Sequence, residues 1–63
     1  MTEELMFKLI TKAVIELQKK TNISEDDATE IVLNGVRAMP VESCMDIDLF
    51  RLMLNSVIEL ELN

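Results

Sequence analysis

Apolar residues return every three or four positions along most of this chain, and the interruptions fall on turn-forming residues. Glu3 to Lys20 contains no glycine or proline. Advancing 100° per residue places Met6, Phe7, Leu9, Ile10, Ala13, Val14 and Leu17 on one continuous arc of about 160°. Glu3 and Glu4 open the stretch and Lys19 and Lys20 close it, the order the helix dipole favours. The pattern predicts a helix over 3–20.

Thr21-Asn22-Ile23-Ser24 reads as a stop and a restart. Asn22 tolerates the left-handed conformation that closes helices. Ser24, followed by Glu25, Asp26 and Asp27, has the form of an N-cap, with Asp27 in the place of the capping-box glutamate and Ile23 set to staple onto Ala28. A second helix is predicted over 25–38. It buries Ala28, Ile31, Val32, Gly35 and Val36 and leaves Asp27, Glu30, Asn34 and Arg37 in water. A glycine inside a helix costs about 1 kcal/mol of propensity. Close approach of another helix accounts for Gly35; the alternative is an early end at Asn34-Gly35.

Met39-Pro40 breaks the chain, and Val41–Met45 forms a connector, with room for one short helical turn after Pro40. Asp46 or Asp48 caps a third helix over 47–61. Its apolar arc of Leu49, Phe50, Met53, Leu54, Val57, Ile58 and Leu60 covers about half the circumference. Ile58 to Leu62 alternate apolar and acidic residues as a strand does. With no partner strand upstream, the tail is expected to stay helical. The fold class is therefore all-α, a single domain over 1–63 built as a three-helix bundle.

Composition narrows the choice further. The chain has 63 residues, 49% of them hydrophobic, with one cysteine and no histidine. That is too apolar for disorder and offers neither a disulfide framework nor an ordinary zinc site. A domain of this size buries only about 60% of the surface its unfolded chain exposes. Yet the first and third arcs exceed the roughly 100° that a bundle helix needs, and Ile15, Leu33 and Leu52 lie off the arcs altogether. Both features lead us to expect a two-fold homodimer that completes the core.

The net charge of −6 is unevenly spread. Residues 1–20 carry three acids and four lysines, while 21–63 carry nine acids and two arginines. Acids gather at Glu25, Asp26, Asp27 and Glu30 and again at Glu42, Asp46 and Asp48. Much of this is capping and dipole preference at helix starts. The remainder presents a negative face suited to a protein with a basic surface. The acidic start Met1-Thr2-Glu3-Glu4 lacks the basic lead-in of a signal peptide, no apolar run reaches the ~20 residues of a membrane span, and the lone Cys44 suits a reducing compartment. A cytoplasmic protein without membrane attachment is expected.

Known chemistries find little support. Asp46-Ile47-Asp48 has the opening spacing of an EF-hand, but Val57 stands where the loop needs its final glutamate, so no metal is expected. Cys44 has no histidine to activate it and reads as a small packing residue. Glu42-Ser43-Cys44 resembles, over these few residues, the Asp-Ser-Leu site of acyl carrier proteins. Glutamate replaces the aspartate, cysteine replaces the leucine, and only one helix follows, so Ser43 is read as a turn or cap residue. Arg51 and Asn55 are too few, among acids, for a DNA-recognition helix, and the lysines of the first helix form an ordinary solvated ridge. No catalytic residue, cofactor or direct nucleic-acid contact is expected.

What remains is a small non-enzymatic regulator, an inhibitor, adaptor or anti-activator, that acts by binding another protein. The expected contact surface joins Asp26, Asp27, Glu30, Leu33 and Arg37 on the second helix. Arg51, Leu52 and Glu59 on the third helix are the second choice. The alternatives are a purely structural assembly module and an acidic mimic that occupies the basic groove of a DNA-binding protein.

Overall fold

The computed structural model describes residues 2–63, so Met1 of the acidic start lies outside them. The described residues form three α-helices with a single 3-10 turn between the second and third, and contain no strand. Helix α1 spans Glu3–Thr21, α2 spans Glu25–Ala38, the 3-10 turn spans Val41–Cys44, and α3 spans Ile47–Leu62. The molecule measures 30 × 23 × 16 Å. Its long dimension is about that of α1 at 1.5 Å per residue, as expected when the helices lie side by side.

Local chemistry places the ends. Thr2 caps α1, its Oγ1 accepting from the Leu5 amide at 3.2 Å, a cap that the periodicity alone does not reveal. Asn22 closes α1 at φ 59°, with its amide donating to the Gln18 carbonyl at 2.8 Å. Ser24 Oγ accepts from the Asp27 amide at 3.2 Å and starts α2. Met39 leaves α2 in an extended conformation, and Pro40 precedes the 3-10 turn. Of the two aspartates considered, Asp46 caps α3, one carboxylate oxygen accepting from the amides of Asp48 and Leu49 at 2.9 and 3.3 Å. The alternating tail is helical through Leu62.

The core is one cluster. Leu9, Ala13, Val14 and Leu17 from α1 meet Ala28 and Val32 from α2 and Phe50, Leu54 and Ile58 from α3. Ile23 packs against it from the α1–α2 turn, and Cys44 and Ile47 from the approach to α3. Cys44 is thus half-buried as a packing residue. Gly35 lies against α3, where an added Cβ would sit 2.5 Å from Val57 Cγ2. Helix α2 runs on past this glycine to Ala38, so close packing, and no early end, explains it.

Three residues expected inside are outside. Phe7 is 70% exposed, Leu60 75% and Leu49 40%. Each sits at the margin of its arc. The core takes one side of each stripe, reaching Leu9 at the edge of the α1 arc and Ile58 at the edge of the α3 arc, and these three side chains lie toward the opposite edge. Ser43 departs in the opposite direction: within its turn it is only 2% exposed. Its amide donates to the Pro40 carbonyl at 3.0 Å, and the side chain is enclosed, out of reach of a modifying enzyme in this conformation.

Candidate interaction surfaces

Among the described residues no buried side-chain nitrogen or oxygen lacks a hydrogen-bond partner. No group of three or more His, Cys, Asp and Glu converges as a metal site would require. No helix among them is long and apolar enough to cross a membrane. On the surface, large apolar side chains stay in contact with water.

Several of them collect on two faces. One follows the seam between α1 and α2, a groove with Phe7, Ile10, Val14 and Ile15 on the α1 side and Leu33 on the α2 side. Thr11, Gln18 and Thr29 give it neutral polar edges, and Glu25 is its single charged residue. The other lies along α2 and α3, where Ala38, Met39, Met53, Val57 and Leu60 surround Gly35 and Ser56. Among the described residues no charged side chain lines this second groove. Leu52, 62% exposed, and Leu49 extend the apolar surface of α3. Val41 and Met45, at the two ends of the 3-10 turn, are also open to water.

The charged residues singled out from the sequence are arranged in part as expected. Asp26, Glu30, Leu33 and Arg37 line one shallow depression on the outer face of α2, with Thr29 and Asn34 beside them. They follow one another at helical spacing, which is why the backbone delivers them to one stripe. Arg37 is held along this stripe by a long contact, its Nη1 donating to Asn34 Oδ1 at 3.4 Å. Asp27 does not line the depression. Its position is about 100° round the helix from Asp26, and its amide serves the Ser24 cap.

On α3 the grouping divides. Arg51 lines a separate depression against α1 with Asn55, Lys12 and Glu16. Leu52 and Glu59 are exposed and belong to none of these grooves. Ion pairing is sparse and superficial: Lys20 approaches Glu16 at 3.0 Å and Lys8 approaches Glu4 at 4.0 Å, both one turn apart on exposed helix surface. Pairs of that kind contribute only about 0.3–0.5 kcal/mol.

Phe7, Leu49 and Leu60 are the surface residues that sequence reasoning missed. The available signal was their place at the edge of over-wide arcs, adjacent to the outliers Ile15, Leu33 and Leu52. Each exposed arc edge continues an outlier, so what looked like excess core is an apolar face. Comparison with protein-family models, with curated proteins and with solved structures finds no match to this chain.

Proposed function

We propose that this chain is a small non-enzymatic regulatory protein that works by binding another protein, and that it does so as a homodimer. The observation that carries the reading is the presence of two separate apolar faces on so small a molecule, one around Phe7, Ile15 and Leu33 and one around Met53, Val57 and Leu60, with the exposed Leu49 and Leu52 beside it on α3. Contiguous exposed apolar surface of this kind marks binding sites in soluble proteins. A single two-fold contact covers one such face and leaves the other free, so the pair of faces suits one contact with a second copy and one with a different protein. Purely structural self-assembly would leave the second face without a role. The acid stripe of α2 is interrupted by Leu33 and Arg37, which favours an apolar contact with a charged margin over mimicry of a nucleic-acid backbone. A cytoplasmic location accords with the unpaired Cys44.

Affinity capture from the source cells, with wild-type protein as bait and identification of what is retained, tests the reading. A specific protein should be held, and should be lost when bait carrying Leu52→Glu replaces the wild type. Retention that is unchanged by every substitution on both faces, or no specific retention at all, removes it.

A further inference from the structure

The geometry points to the α1–α2 face as the surface on which a second copy of this chain docks, with the two-fold axis lying along the groove. This rests on the dimeric reading above and names its interface. Helices α1 and α2 run antiparallel, joined by the three residues Asn22-Ile23-Ser24. Between them the groove exposes Phe7, Ile15 and Leu33 as its apolar centre. The two walls outside that centre carry opposite net charge. Beyond Ile15, α1 presents Lys12 and Lys19, which share a surface depression with it and with the Glu16–Lys20 ion pair. Beyond Leu33, α2 presents Asp26 and Glu30, with Arg37 farther along the same stripe. Among the described residues none of Lys12, Lys19, Asp26 and Glu30 belongs to an ion pair.

An apolar centre with a positive wall on one side and a negative wall on the other is self-complementary under one operation. A two-fold axis running along the groove lays α1 of each copy over α2 of the other, so Lys19 meets Asp26 on both sides of the contact and the wall of net positive charge faces the wall of net negative charge. An axis across the groove sets α1 over α1 and α2 over α2, which opposes like charges. Levels along the helices agree with the first arrangement. Because the hairpin turns about Ile23, positions equidistant from it stand at one height, and an axis along the groove preserves height. Lys19 then stands within about 2 Å of the level of the second copy's Asp26 and Ile15 within about 3 Å of its Leu33, while Lys12 lies between the levels of its Glu30 and Arg37. The product is an antiparallel four-helix layer at the contact, with α3 of each copy on the outside and its apolar face uncovered.

Charge exchange tests the arrangement. Dimerisation is measured by sedimentation equilibrium over a hundredfold dilution for wild type, for Lys12→Glu with Lys19→Glu, and for Asp26→Lys with Glu30→Lys. Each double variant places like charges on both walls of its own homodimer and should dimerise at least about tenfold more weakly. Mixing the two variants in equal amounts creates a heterodimer with opposite charges restored on both sides, and should return the affinity to within about threefold of wild type. Ile15→Glu, at an exposed position, should dissociate the dimer while the helical circular dichroism is retained, and serves if a charge variant folds poorly. The assignment is overturned if the wild type dimerises but mixing restores nothing, or if Ile15→Glu remains dimeric while Leu60→Glu dissociates. A wild type that is monomeric throughout removes the dimeric reading itself, together with this interface.

Discussion

Where α2 meets α3, the chain places its only glycine, and Val57 fills the space a side chain would have taken. Where α2 meets α1, the seam ends in Phe7, Ile15 and Leu33, large side chains that reach past the core into water. At Gly35 the first seam is closed within the chain: backbone approaches side chain closely there, and an apolar groove opens only beyond that contact, along Met53 and Leu60. The second is left open. Removing side chain where helices must touch, and extending it where they do not, distinguishes a contact that serves the fold from a surface available to a second molecule. Both seams share α2, so substitutions can disturb one and leave the other as a control.

The largest effect should come from the residue on which both seams depend. Phe50 is wholly buried in the core that α1, α2 and α3 share. Phe50→Ala should cost about 3–5 kcal/mol, a large part of the stability of a domain this small, and urea denaturation should show loss of cooperative unfolding near room temperature. Retention of a sharp transition with a loss under about 1 kcal/mol would mean that the helices do not depend on a common core.

Next in size is the closed seam. Gly35→Ala gains roughly 1 kcal/mol of helix propensity, but the new methyl group must occupy space held by the β-branched Val57, whose rotamer has little freedom. Overpacking of this kind costs about 1–3 kcal/mol. The expected net result of chemical denaturation is a loss of about 1 kcal/mol, and Gly35→Val should lose more. Adding Val57→Ala to Gly35→Ala should recover most of that loss, because it removes the methyl groups in the way. Additivity in this double-mutant cycle would show that the two positions do not meet.

Much of this architecture was legible in the sequence because it is local. Helix starts and stops follow from Asn22, Ser24, Pro40 and Asp46, whose preferences act within a few residues of themselves. The reason for Gly35 followed from its place on the apolar arc. The exposure of Phe7 and Leu60 did not follow, because a helical wheel describes one helix while burial depends on how three arcs divide one core. Ser43 was hidden for a related reason: a turn's polarity gives no indication that the bundle folds over it. On the surface, periodicity placed Asp26, Glu30, Leu33 and Arg37 on one stripe. It did not separate Arg51, turned toward α1, from Leu52 and Glu59, since the direction of a neighbouring helix is absent from the sequence.

Caps offer a smaller effect that compares the two ends of α2's surroundings. Asp46 accepts two amides at the start of α3, while Ser24 accepts one at the start of α2. Each substitution to alanine should cost about 1 kcal/mol in thermal or chemical denaturation, with Asp46→Ala the more costly because two donors and a favourable charge at the helix dipole are lost together. Equal losses would indicate that the second amide contact at 3.3 Å contributes nothing measurable.

The smallest effect on the fold should accompany one of the largest on binding. Leu60 is three-quarters exposed beside the charge-free groove of α2 and α3, so Leu60→Glu removes little core contact and should change unfolding free energy by no more than about 0.5 kcal/mol. The same holds for Leu52→Glu on the neighbouring surface of α3. If this face receives the regulated protein while α1 and α2 join two copies, both variants should sediment as wild-type dimers yet retain at most about a tenth of the captured partner. Ile15→Glu provides the converse, with weakened self-association and an intact α3 face. A partner retained by Leu60→Glu and Leu52→Glu but lost with Ile15→Glu would move its site to the open seam, and the two contacts would then compete for one surface. The division into two faces survives only if the two losses can be produced separately.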